Sequence, residues 1–327
     1  MDEIKLGIIG SNFVSDWLCE SVAESSGIVC HAVYSRTHER GSDFASKYSI
    51  PNVYTNMEEF LVSDIDAVYI ASPNFLHYEQ AKLAIEHGKH VLVEKPACLN
   101  EKEFCELETL AKAHGVILLE AMRPTHDKAA DAVREAMGSI GTIRRAVFEF
   151  CQYSSRYDKF KAGDILNAFN PSMGNAALMD IGVYAMQCCV MFFGEPKDVY
   201  SKSVILHNGM EGMGCVFLDY GTHHAEVVYS KISDSYNPSI ITGENGTIAI
   251  SKLSLFDKVC LQMRCGEEKV LVEGRTENNM IYEVADFVSA IRGEISVDGF
   301  NEITCITLRL MDKVRKQNGI VFPTEKA

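Results

Sequence analysis

Positive charge is scarce in this chain. Its 327 residues carry 31 lysines and arginines against 45 aspartates and glutamates, a formal net charge of −14. That balance excludes nucleic acid and anionic membranes as expected partners, since both need a cationic face to bind. An anionic cofactor would need a local positive site. Long apolar runs are missing too. None reaches the ~18 apolar residues of a membrane span, so no contact with a membrane is expected. There is no Cys-x-x-Cys pair and no His-x-x-x-His, which argues against a structural zinc site. The cysteines number 11, an odd count with no framework spacing, and Cys188 and Cys189 are adjacent. Reduced thiols are expected. The opening Ile4-Lys5-Leu6-Gly7 has neither the basic region nor the apolar core of an export signal, so a cytoplasmic location is expected.

What is present suits two packed domains: 47% hydrophobic residues and 23% charged. In the first third, apolar runs at Ile4–Ile9, Val29–Tyr34, Ala67–Ala71, His90–Glu94 and Val116–Glu120 read as strands. Helical patterns lie between them near Phe13–Glu24, His38–Tyr48, Met57–Leu61, Leu76–His87 and Glu101–His114. Asn56 with Glu59, and Asn100 with Glu103, have the spacing of reciprocal helix caps. Such alternation with short loops predicts an α/β Rossmann domain, a doubly wound parallel sheet, over residues 1–122.

After about Pro124 the pattern changes. A helix near Lys128–Met137 leads into strand-like segments running from Arg144–Tyr153 to Lys269–Val272. Turn signals at Asp219-Tyr220-Gly221 and Glu244-Asn245-Gly246 join some of them. Helices are expected at about Ala176–Phe193, Ile281–Arg292 and Glu302–Gln317. Residues 123–327 therefore read as an α+β domain with a large open-faced, mainly antiparallel sheet, for substrate binding and oligomerisation. In Cys215-Val216-Phe217-Leu218 both alternating sets are apolar, so an uncovered sheet face would present an apolar patch, and a homodimer is expected.

The stretch carrying most chemistry is Val91-Leu92-Val93-Glu94-Lys95-Pro96. A buried parallel strand ends in an ion-pair dipeptide and a proline, at the strand end where open α/β sheets bind ligands. Lys95 there can have a perturbed pKa and handle protons. Gly10, Ser11, Asn12 and Phe13 occupy the turn where helix amides favour a pyrophosphate. Gly10 fills the first glycine position of the dinucleotide fingerprint, while Asn12 and Ser15 replace the second and third. Asn tolerates a left-handed backbone, so the turn can survive. The second strand ends in Ser35-Arg36-Thr37, where a cofactor lacking a 2′-phosphate favours an acid. Two hydroxyls around a guanidinium suit a 2′-phosphate, so NADP is expected and NAD less so. Ser72-Pro73-Asn74 ends the next run and can wrap the nicotinamide half, although Pro-Asn is also plain turn chemistry.

Together these residues resemble the glucose–fructose oxidoreductase / inositol dehydrogenase (Gfo/Idh/MocA) family, over almost the whole chain. The markers are Gly10, Ser72-Pro73-Asn74 followed by His77, Gly88-Lys89-His90-Val91 leading into Glu94-Lys95-Pro96, and Gly174-Asn175 leading into Asp180-Ile181-Gly182-Val183-Tyr184. Glu120-Ala121-Met122 and Tyr184 look most like the dihydrodiol dehydrogenase branch. The resemblance implies hydride transfer between nicotinamide and a CH–OH or C=O group of a sugar, polyol or cyclic diol. It implies cofactor contacts from Gly10, Ser11, Asn12, Phe13, Ser35, Arg36, Thr37, Ser72, Pro73, Asn74, His77, Glu94 and Lys95. It makes Lys95 the catalytic lysine and leaves room for a cis Lys95–Pro96 bond. Asp180 and Tyr184, four apart at the start of a helix, would share a face. Tyr184 or Lys95 would receive the hydroxyl proton and Asp180 would orient substrate or lysine. Arg123 follows the last Rossmann strand and would touch substrate or cofactor, or equally make a plain interdomain ion pair. An NADP(H)-binding redox sensor without turnover, and a sugar-binding scaffold, are the alternatives, because fold does not fix function.

Overall fold

The computed structural model describes residues 3–274 and 278–323. The chain opens with β1 (Ile4–Ile9), α1 (Phe13–Glu24), β2 (Ile28–Tyr34), α2 (His38–Tyr48), β3 (Asn52–Tyr54), α3 (Met57–Leu61), β4 (Ala67–Ile70), α4 (His77–Glu86), β5 (His90–Glu94), α5 (Glu101–His114) and β6 (Leu118–Ala121). It continues through α6 (Arg123–His126), α7 (Ala129–Met137), β7 (Ile143–Cys151), α8 (Tyr157–Lys161) and α9 (Val183–Phe193). Next come β8 (Asp198–Ile205), β9 (Glu211–Asp219), β10 (His224–Ser230), β11 (Ser239–Gly243), β12 (Gly246–Ser251), β13 (Lys258–Met263) and β14 (Glu268–Val272). The helices α10 (Met280–Ile291) and α11 (Asp298–Asn318) follow.

Two compact units result. The first takes the chain up to Met122. Its sheet is parallel, in the order β3-β2-β1-β4-β5-β6. Every residue of β4 is buried, as expected of a strand covered by helices on both faces. The strand β3 was not expected from sequence. Its three half-buried residues at the sheet edge are too few to show a period. The first unit also takes Asn278–Glu302, which the sequence reading grouped with the second domain. Met280, Val284, Phe287 and Val288 line one stripe of α10 and join the core of the parallel sheet. That return of the chain leaves no mark on local periodicity.

The second unit begins at Arg123 and resumes at Ile303. Its sheet has the order β14-β13-β12-β11-β7-β10-β9-β8, antiparallel except for the β7–β10 pair. Along β9, Val216 and Leu218 are buried while Cys215 and Phe217 are exposed, so one face packs inward and the other is open. The segment Pro171–Phe193 has the length and apolarity of a membrane span. This departs from the sequence reading, which saw no such run. Its most apolar window is 83% buried, as befits a core element packed beneath the sheet.

Candidate active site

In the first unit the predicted cofactor residues gather at the carboxyl ends of the parallel strands. The chain order reverses between β1 and β4, which makes a topological switch point there. Gly10 has φ +108, and a β-carbon on it would stand 2.7 Å from the Ala71 carbonyl oxygen. Only glycine meets both demands. Asn12 is not left-handed, contrary to expectation. It sits in extended backbone as the N-cap of α1. Its Oδ1 accepts from the amides of Val14 and Ser15, and its Nδ2 donates to Ala71 O at 2.8 Å. Buried Ser15, at the third glycine position, donates its hydroxyl to Gly10 O at 3.0 Å. Asn12 thus holds the turn by capping rather than by backbone freedom. Ser11 is half-buried, and Phe13 projects outward against Trp17.

At the end of β2, Arg36 and Thr37 are exposed, and Arg36 has no ion-pair partner among the described residues. Ser35, predicted from the sequence to touch the cofactor, is buried. Its amide bonds Tyr54 O, and α2 covers it at Gly41. Past β4, Pro73 leads into a short 3-10 turn, Asn74–Leu76, and Ser72 Oγ donates to Gln80 Oε1 at 2.7 Å. His77 is fully buried, with one ring nitrogen at 2.8 Å from Ser72 O and the other at 3.0 Å from Pro96 O. Burial pushes its pKa below the usual histidine range, against the pull of those two carbonyls. His77, predicted from the sequence to contact the cofactor, packs between the Ser72 and Pro96 carbonyls.

Lys95 and Glu94 are half-buried at the end of β5, and the Lys95–Pro96 bond is cis. Glu94 accepts from the hydroxyl of fully buried Tyr69 at 2.6 Å, and burial pushes that phenol well above its usual range. Glu120 accepts from the Ala97 amide at 2.8 Å, fixing the backbone just after Pro96.

In the second unit Asp180 and Tyr184 do not start a regular α-helix. Leu178–Gly182 forms a widened π turn that runs into α9, a feature that often marks functional sites. Gly182 makes it possible: a β-carbon there would meet the ring of Tyr229 at 2.9 Å. Beneath the turn, buried Glu211 accepts from the Leu178 amide at 2.8 Å, from Tyr229 Oη at 2.8 Å and from Ser203 Oγ at 2.5 Å. Burial raises the Glu211 pKa, and those three donors oppose the rise. Tyr184 is buried against Phe150, and the Arg123 guanidinium lies 5.9 Å from the centre of its ring. Asp180 Oδ2 lies 2.6 Å from Nζ of Lys231. Sequence reasoning missed Lys231 and Glu211, since neither stands in a motif.

These two halves match a known family. A model of an oxidoreductase family with an NAD-binding Rossmann fold, GFO_IDH_MocA, matches residues 4–122, and the GFO/IDH/MocA C-terminal domain matches residues 127–249. The chain belongs to the GFO/IDH/MocA oxidoreductase family. It is 42% identical over 327 residues to scyllo-inositol 2-dehydrogenase (NADP(+)) IolU of Bacillus subtilis (strain 168), covering 99% of this chain and 100% of that one. It is 28% identical to trans-1,2-dihydrobenzene-1,2-diol dehydrogenase of Mus musculus, covering 99% and 98%. Among solved structures, KijD10, a 3-ketoreductase from Actinomadura kijaniata in complex with NADP and TDP-benzene, superposes with a TM-score of 0.84 at 22% identity, covering 97% and 98%.

Proposed function

We propose that this protein is an NADP-dependent dehydrogenase that moves a hydride between nicotinamide and a CH–OH or C=O group of a polyol or cyclic diol. The reading is carried by the 42% identity to an NADP(+)-dependent scyllo-inositol dehydrogenase, which runs through both units. The residues present fit the cofactor. Gly10 leaves the close approach that a β-carbon would fill, and Arg36 is an exposed cation without an acidic partner among the described residues. Arg36 and Thr37 would hold the 2′-phosphate. Bound NADP would supply the ring that accepts or donates the hydride.

The chain's own residues do the rest. Lys95 or Tyr184 holds the hydroxyl proton of the substrate and passes it on, and Asp180 takes a hydrogen bond from a substrate hydroxyl. Arg123, against the Tyr184 ring, is the further substrate contact proposed. A homodimer on the open sheet face, and a cytoplasmic setting in keeping with 11 free cysteines, complete the proposal.

The test is nicotinamide absorbance with NADP over a panel of inositols, aldoses and cyclic diols. Turnover of at least one polyol or diol is the expected result. Tight NADPH binding without turnover across the panel would replace the enzyme with a redox sensor, and sugar binding that needs no cofactor would replace it with a scaffold.

A further inference from the structure

Lys231 stands one residue past the end of β10, and its side chain is only 4% exposed. Its backbone is fixed by Gly212 O, which accepts its amide at 2.9 Å. Its ammonium reaches Asp180 Oδ2 at 2.6 Å and Ala168 O at 2.9 Å, and lies 5.2 Å from the ring centre of Phe169. A cation withdrawn this far from water persists only where anion, dipole or ring replaces the lost hydration. Lys231 has all three. The Asp180 side chain, by contrast, is 37% exposed. The π turn that carries Asp180 is therefore held twice by the same pair of strands. Glu211 of β9 holds its backbone at Leu178, and the lysine just past β10 holds its side chain.

A carboxylate with one oxygen on a buried ammonium is held in one orientation by that charge-assisted contact. It remains a good hydrogen-bond acceptor through its other lone pairs. We infer that Lys231 is a positioning residue for the reaction: it fixes the Asp180 carboxylate so that it orients a substrate hydroxyl, and leaves the proton transfer to Lys95 or Tyr184. The same cation ties Asp180 to the Asn167–Phe169 turn through Ala168. Substrate orientation and the order of that turn then depend on one side chain. This inference rests on the reading of Asp180 as a substrate-binding residue.

The test is steady-state kinetics on the full-length protein with its best polyol and NADP, comparing Asp180→Asn, Lys231→Met and the double variant. Lys231→Met is expected to raise the substrate KM about tenfold or more, the loss expected for a charged hydrogen bond, while the NADP KM stays within about twofold. If Lys231 acts through Asp180, the double variant is no worse than Asp180→Asn alone. Lys231→Arg, which keeps the charge, is expected to recover most of the substrate affinity. Should Lys231→Met not accumulate as folded protein, Lys231→Gln gives the same comparison. A substrate KM unchanged by the loss of the lysine charge overturns the inference. Losses that multiply in the double variant overturn it as well. Near-normal kinetics of Asp180→Asn overturns the underlying role of Asp180, and is recognised apart from the other outcomes because it needs no lysine variant.

Discussion

His77 Nδ1 lies 3.0 Å from the carbonyl oxygen of Pro96, the residue that follows Lys95, while His77 Nε2 lies 2.8 Å from the carbonyl oxygen of Ser72. Both carbonyls can only accept, and a neutral imidazole has one N–H to give. Burial favours the neutral ring. His77 can therefore donate to only one of the two carbonyls, and amide replacements tell which. His77→Gln keeps a donor near Nε2 and should behave like wild type if the bond runs to Ser72 O. His77→Asn keeps a donor near Nδ1 and should behave like wild type if it runs to Pro96 O. The variant without the bond should lose roughly 0.5–1.5 kcal/mol, a several-fold effect readable in kinetics. Identical profiles for the two variants would show that the N–H holds neither loop.

The same histidine makes stability depend on pH. Its folded-state pKa is depressed below the ordinary 6.5, so the unfolded chain binds this proton more readily. The contribution to stability is whole above about pH 6.5 and is lost as pH falls through the folded value. Melting curves of His77→Gln should fall less steeply than wild type below that pH, and parallel curves would contradict the argument.

Gly182 and Tyr229 make a second testable pair. The Tyr229 ring is buried and its hydroxyl is tied to Glu211 at 2.8 Å, so it has little room to retreat from a β-carbon placed 2.9 Å away. Gly182→Ala should destabilise the protein by roughly 1–3 kcal/mol through overpacking, despite the better helix propensity of alanine. Thermal or urea unfolding measures this, and a variant as stable as wild type would show that the π turn can shift.

The parallel sheet and the Glu94-Lys95-Pro96 end of β5 were legible because buried strands leave continuous apolar runs and ligands sit at their carboxyl ends. Asp180, Gly182 and Tyr184 were legible as a motif, but the π turn was not, because its cause lies in contacts with Tyr229 and Glu211 far along the chain. Asn12 could be read as a glycine substitute, yet its work is done by the side chain, capping α1 and gripping Ala71 O. Lys231 follows a strand with nothing local to set it apart from a surface lysine. Only the fold brings it to Asp180. The return of α10 to the first unit is hidden for the same reason: periodicity reports an apolar stripe but not what covers it.

Arg36 should govern the choice of cofactor. It is exposed at the end of β2, beside a buried serine and ahead of the N-terminus of α2. Loss of one charged contact to phosphate costs roughly 1.5–3 kcal/mol, so Arg36→Ala should raise the NADP KM about tenfold or more. The NAD KM should barely move. Equal use of NADP and NAD by the unaltered protein would remove the basis for the expectation.

Lys95 should be needed for turnover rather than for folding, since it is half-buried at a strand end and adds nothing to the apolar core. Lys95→Ala should lower kcat by roughly a hundredfold or more, the range expected for loss of an acid–base group. Its melting temperature should stay near wild type. Near-normal turnover in the folded variant would move the proton transfer to Tyr184 alone.

The open face of the second-unit sheet should hold a second copy of the chain. Tyr200 of β8 pairs with Phe217 of β9, and both rings are exposed, at 60% and 38%. Val204 and Cys215 lie on the same face, exposed as well, with the Arg145–Glu226 ion pair further across it. Exposed Lys202 stands on this face between Tyr200 and Val204, opposite Cys215, so the patch is apolar side chains interspersed with charge, and two-fold symmetry is the commonest way to close such a self-complementary surface. Light scattering at micromolar concentration should give twice the chain mass. Replacing Tyr200 and Phe217 together by glutamate should shift it toward the monomer, because paired like charges opposite their symmetry mates repel. A clean monomer mass for the unaltered protein would leave this face without its proposed partner.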